Sequence, residues 1–234
     1  MKIISRKLQE MSNPENQRRF YPIPTDAVIK AVLERYKTTD ICEREEKTIA
    51  LFQKNPLNDN GTDVDLKLTA LRAMLHRPGL DLSRVRRFIL SEKDFDKKLR
   101  RGVKSLVDGI TSANRDRLKY FSFACMYCAF HQPELYLSDD ECWTLEKYNW
   151  LYNFMQGRHI SHSTYYSVAM KPLFIFREYY GLQRYSLPDI QHFLAQLSRE
   201  ESDERARYAF DRDSERLSRN EVILDMLGKN SSGR

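Results

Sequence analysis

Between residues 25 and 227, apolar side chains recur at the three- and four-residue spacing of a helix face, interrupted by polar caps. Thr25 can cap a helix carrying Val28, Ala31, Val32 and Tyr36, and Asp40 can cap the next, with Ile41, Ile49 and Phe52 inward. Asn55 to Gly61 reads as a loop, and Leu66, Leu68, Leu71, Met74 and Leu75 as a buried helix stopping before Pro78-Gly79. Ser83 starts a short basic helix with Val85, Phe88, Ile89 and Leu90. A helix is predicted from about Phe95 to Val107, with Gly109 just beyond it. Ser112 or Asn114 opens a long apolar helix that ends before Pro133. Ser138-Asp139-Asp140-Glu141 reads as a capping box in front of Trp143, Leu145, Tyr148, Trp150 and Leu151. Ser163 or Thr164 precedes a helix through Phe174, Phe176 and Tyr179, with Gly181 after it, and Ser186 to Asp189 begins another. From Arg199 to Arg219 the chain is mostly charged and reads as an exposed helix. Ser218 to Glu221 opens a short amphipathic one.

The expected fold is therefore all-α: a multi-helix domain with a helix-hairpin-helix-like centre and a charged C-terminal helical extension. Only 8 Gly and 8 Pro occur in 234 residues, too few for the many tight turns of a β-sandwich or barrel. The pattern divides into an N-terminal helical region (1–60), a main domain (61–198), the extension (199–229) and a polar tail (230–234). No apolar run approaches the ~20 residues of a membrane span, and the first residues lack the core of a signal peptide. Cys42, Cys125, Cys128 and Cys142 are too few for a disulfide framework, which favours reduced thiols and a cytoplasmic setting.

The net charge of +6 is concentrated. Arg84 to Lys119 holds twelve Lys or Arg against five Asp or Glu, so this segment alone exceeds the charge of the whole chain. A local basic excess suits an anionic partner; a solvated surface of ordinary ion pairs accounts for it equally well.

Other chemistry is sparse. Cys125, Cys128 and His131 advance by three along one apolar helix, so core packing is expected there and no metal or other cofactor. Asp139 and Asp140 suit helix capping, and His159 and His162 read as surface residues. The aromatic stretches 143–154 and 165–180 read as core stripes, with Tyr179, Tyr180 and Tyr185 left as candidates for base stacking. Phosphate loops, nucleophile elbows and His-Glu-x-x-His are missing from the sequence.

Residues 119–140, Lys-Tyr-Phe-Ser-Phe-Ala-Cys-Met-Tyr-Cys-Ala-Phe-His-Gln-Pro-Glu-Leu-Tyr-Leu-Ser-Asp-Asp, resemble a pattern in a group of little-characterised bacterial proteins. That pattern is Ser-Phe-Ala-x-Lys-Tyr-Cys-x-x-His-x-Pro-x-x-Tyr-Pro-Ile-Tyr-Asp, and Leu173 to Leu182 is similar to the segment that follows it. The resemblance spans roughly 64–195. More distantly, the arrangement is similar to helix-hairpin-helix DNA glycosylases, in which a Gly-containing hairpin grips the phosphate backbone while a Lys and an Asp carry the chemistry. That resemblance implies a first helix at 95–108, a hairpin at Gly109-Ile110-Thr111 and a second helix at 113–131. Lys119 and Asp140 would be the catalytic counterparts. Met126 stands where the bacterial group has Lys, and Leu137 to Asp140 replace its Pro-Ile-Tyr-Asp.

Together these features lead to a non-catalytic or degenerate DNA-associated module in a bacterial complex. Arg84, Arg86, Arg87, Lys97, Lys98, Arg100, Arg101 and Lys104 would contact phosphates, with Gly109 in the supporting hairpin; DNA is favoured over RNA. A base-excision enzyme using Lys119 and Asp140 is one alternative. The other is a protein-interaction subunit docking through 199–219.

Overall fold

The computed structural model describes residues 13–77, 79–139, 141–160 and 162–207, and among them the secondary structure is helical without a strand. Side-chain caps set where many of the helices begin. Asn13 caps α1 (Pro14–Phe20), Thr25 caps α2 (Asp26–Lys37) by accepting from the Val28 N–H, and Thr39 caps α3 (Asp40–Lys54). Asn60 caps α4 (Gly61–Met74). Next come α5 (Ser83–Ser91), α6 (Phe95–Arg100) and α7 (Ser105–Ser112). Asp116 caps α8 (Arg117–His131), which is followed by α9 (Cys142–Tyr152), α10 (Tyr166–Ala169) and α11 (Lys171–Tyr179). The last helix, α12, occupies 187–207 and is capped by Ser186, which accepts from the Asp189 N–H.

α8 is apolar nearly all round and therefore lies at the centre. Its Tyr120, Phe121, Phe123, Ala124, Cys125, Tyr127, Cys128, Ala129 and Phe130 are all buried. It packs against α3, α4 and, most extensively, α7. Phe52 of α3 meets Tyr127 and Phe130 edge-on at 5.4 and 5.7 Å, a favourable quadrupole arrangement. One contiguous apolar cluster reaches from Tyr21 to Leu197 and so draws both chain halves together.

Thr39 caps in place of the expected Asp40, and Asp116 in place of Ser112 or Asn114, and four segments differ more widely from the sequence expectation. The helix predicted over Phe95–Val107 is two helices, α6 and α7. Gly102, at φ 68°, ends α6 in a Schellman motif: Gly102 N–H donates to the Leu99 carbonyl and Val103 N–H to that of Lys98. The helix predicted from 163 to 179 is likewise split, with Pro172 in the first turn of α11, where its missing N–H costs nothing. The capping box at 138–141 does not form: α9 starts at Cys142, and Glu141 precedes it in the left-handed region without a side-chain cap bond. Finally, the charged segment beginning at Arg199 is, up to 207, the continuation of α12; Ser202, Asp203, Arg205, Ala206 and Arg207 are exposed as expected, but one side of it is docked on the body of the fold. Glu201 is 2% exposed, and the Glu200 carboxylate accepts two hydrogen bonds from Arg35 of α2. The remainder of 199–229, the amphipathic helix after Ser218 and the 230–234 tail lie outside the described residues.

Candidate nucleic-acid interface

α5 buries Val85 and Ile89, so helical geometry turns Arg84 and Arg87 to the opposite face. α6 buries Phe95 and Leu99, which turns Lys97, Arg100 and Arg101 outward in the same way. All five are exposed. The other three expected phosphate contacts are engaged within the chain. Arg86 pairs with Asp65 at 2.7 Å, and Lys98 pairs with Glu92. Lys104 donates to the Leu135 carbonyl, with its ammonium 4.4 Å from the Tyr136 ring centre; burial lowers its pKa.

Of the five acids of the same segment, Asp94 and Asp116 are exposed, but most are engaged in bonds within the chain. Asp96 accepts from the backbone N–H and the amide of Asn58, at 3.0 and 2.7 Å. Asp108 accepts from the Tyr166 N–H, and Asp116 caps α8. Only Glu92 among these bonded acids neutralises a cation of the segment. The outward face carries Asp94 but is dominated by Arg84, Arg87, Lys97, Arg100 and Arg101. Ser83, Arg86, Arg87, Leu90 and Ser91 line a shallow depression of about 420 Å³ on it.

Gly109 is not in a hairpin. It lies inside α7, where an added Cβ would come within 2.3 Å of Phe88 Cζ, so the glycine allows α5 and α7 to approach closely. The turn between α7 and α8 is instead residues 113–116. Lys119 occupies the first turn of α8 and is exposed, outside the buried setting that activates an amine nucleophile. Asp139 comes eight residues after the far end of that helix, and its carbonyl accepts from Gln191. Asp140 lies outside the described residues.

Of the expected core thiols, Cys125 and Cys128 are fully buried, and burial pushes the Cys128 thiol pKa up. His131 packs between Phe52 and Tyr127, with ring centres at 4.9 and 5.3 Å. Burial, reinforced by the nearby charge of Lys67, lowers its pKa to about 3. The aromatic stripes are only half buried: Tyr148, Phe154, Tyr166 and Phe176 are inside, but Trp143 and Trp150 are 71% and 59% exposed, against the core expectation.

Two arrangements were not legible in the sequence. Lys67 is fully buried on α4, and its ammonium donates to the Asn55 and Leu57 carbonyls and to Asn58 Oδ1 at 3.0, 2.6 and 2.6 Å. Tyr127 also donates to Asn58 Oδ1, at 2.6 Å. Nothing in the spacing of Lys67 distinguishes it from a surface lysine. The second arrangement joins α9 to the loop before α10. Cys142 and Glu146, four residues apart, share one face of α9, and His162 reaches both. Cys142 Sγ lies 3.3 Å from His162 Nδ1 and 4.0 Å from Nε2, and Glu146 Oε1 lies 2.9 Å from Nε2. The helix spacing of Cys142 and Glu146 was readable; His162 is exposed, as expected of a surface residue, but its approach to these two was not readable.

Among known families, residues 28–135 match the model HI_0787_N, described as an N-terminal domain. The match takes in α5, α6 and the whole of the basic segment. No curated protein and no solved structure matches the chain.

Proposed function

We propose that this protein is a DNA-associated helical module that holds the phosphate backbone without reading base sequence. The observation that carries this reading is the division of labour within 84–119. Asp96, Asp108 and Asp116 are taken up by internal hydrogen bonds, whereas Arg84, Arg87, Lys97, Arg100 and Arg101 project outward. Long-stemmed cations on two successive helices suit phosphate contacts, which are sequence-tolerant and release counterions. The engaged positions of Arg86, Lys98 and Lys104 reduce the expected footprint to five cations.

The test is titration of a labelled duplex at several salt concentrations. Binding should weaken steeply with salt, and Arg87→Glu combined with Arg100→Glu should lower the slope of log K against log salt by about 2. Lys54→Glu, at the end of α3, should leave it unchanged. Undetectable binding at low salt, or equal loss in the Lys54 variant, refutes the reading. A single-stranded RNA of equal length serves as competitor and should compete less well than the duplex.

A further inference from the structure

Cys142, Glu146 and His162 bring thiol, carboxylate and imidazole together, the one such cluster among the described residues. One ligand atom from each lies within 4.8 Å of the others. Two chemistries use this combination, a nucleophilic triad and a metal centre, and the sulfur position separates them.

In a triad the thiol proton lies along the lone pair of one ring nitrogen, while the other nitrogen meets the carboxylate. A sulfur 3.3 Å from Nδ1 along that direction would stand more than about 5 Å from Nε2, given the linear preference of hydrogen bonds. It stands at 4.0 Å instead, well off the Nδ1 lone pair. The ring is therefore not set to remove the thiol proton in line.

The three donors are nevertheless close enough together to converge on a single ion. With Zn–S of about 2.3 Å and Zn–N or Zn–O of about 2.0 Å, a tetrahedral site separates its ligand atoms by roughly 3.3–3.6 Å. As the ring stands, the sulfur is 3.3 Å from Nδ1 and 4.0 Å from Nε2 and the carboxylate oxygen 2.9 Å from Nε2, so convergence on one ion takes a reorientation of the partly exposed His162 ring, with Cys142 and Glu146 kept in place by α9. Cys142 and Glu146 are held one helical turn apart on α9. Cys142 is buried, while His162 and Glu146 are partly open to solvent, which gives an ion a path in.

We infer that Cys142, Glu146 and His162 form a three-ligand site for a divalent transition metal, zinc by donor type, with the fourth position facing solvent. A mixed thiolate, imidazole and carboxylate set suits zinc and cobalt(II) and is too soft for magnesium or calcium. Binding converts the Cys142 thiol to thiolate, and its proton passes to solvent, so each ion bound releases one proton from sulfur. The site lies outside the 28–135 family match and is independent of the proposed DNA contacts. The Trp143 ring, 4.6 Å from that of His162, serves as a built-in reporter.

The experiment titrates cobalt(II) into the chelator-treated full chain carrying Trp150→Phe, which leaves Trp143 as its only tryptophan. One equivalent should give visible ligand-field bands, a near-ultraviolet sulfur-to-cobalt charge-transfer band and quenching of Trp143, all reversed by zinc. Cys142→Ser should abolish the charge-transfer band. His162→Gln, a change at a partly exposed side chain, should weaken binding by more than about tenfold with helicity unchanged. Cys42→Ser should keep every signal. Absence of any cobalt spectrum overturns the inference, as does a charge-transfer band that survives Cys142→Ser or binding unaffected by His162→Gln.

Discussion

Replacing Lys67 with Met tests whether the buried ammonium pins the 55–60 loop to α4. Met matches the length of the lysine stem but donates no hydrogen bond. Asn58 Oδ1 would keep its bond from Tyr127, whereas the Asn55 and Leu57 carbonyls would lose their donor. Orphaning two part-buried carbonyls costs about 1–2 kcal/mol each. Relief from burying a charge offsets part of this, which leaves a net loss of about 2 kcal/mol. For a chain of this size that corresponds to a fall in Tm of roughly 4–8 °C. Thermal unfolding followed by far-ultraviolet circular dichroism measures it.

The pH dependence has a definite sign. Burial lowers the folded pKa of Lys67 from 10.5 to about 8, against the pull of Asp96, Asp63 and Asp59. Below pH 8 the lysine is protonated in both states. Between 8 and 10.5 the unfolded chain holds the proton that the folded chain releases, so wild-type stability gains up to about 1.4 kcal/mol per pH unit from this group. The gap between wild type and Lys67→Met should therefore widen as pH rises through that window. A variant that melts within about 2 °C of wild type at pH 7, or a gap that stays constant from 8 to 10.5, refutes the reasoning.

Two further substitutions probe buried groups at acid pH. Glu201 accepts from Gln17, Tyr21 and Arg205 and pairs with Lys147; burial alone would raise its pKa, but the bonds from Lys147, Tyr21 and Arg205 hold it at about 2. Its stabilisation is present above the ordinary value of 4.5 and lost as pH falls toward 2, and Glu201→Gln should cost about 3 kcal/mol at pH 7 in a urea titration. A loss below about 1 kcal/mol would show that α12 does not depend on this network. His131 is neutral in the fold, so stability falls as pH drops from 6.5 toward 3, where only the unfolded histidine is protonated. His131→Phe should flatten the urea-midpoint profile between pH 6.5 and 4.5; an unchanged slope would show that His131 is charged inside the core.

The all-α fold was legible because helix signals are local. Thr25 and Ser186 cap helices where their sequence context predicts, and the three-residue advance of Cys125, Cys128 and His131 marks an inward face of α8. Burial of Val85 and Ile89, and hence the outward direction of Arg84 and Arg87, follows from periodicity alone. Tertiary contacts decided the rest. Gly109 resembles a hairpin glycine until Phe88 from another helix is seen against it, and Lys67 is an ordinary helical lysine until the 55–60 loop folds over it. Lys104 and Arg86 count as cations in the sequence, but the Leu135 carbonyl and Asp65 that occupy them come from distant positions. Cys142 and Glu146 share a face by helix geometry, whereas the arrival of His162 depends on how the chain turns between α9 and α10. Helical period and caps act over a few residues and are written in the sequence. The partner of each polar group is chosen by packing over tens of residues, through long-range contacts that local composition does not encode.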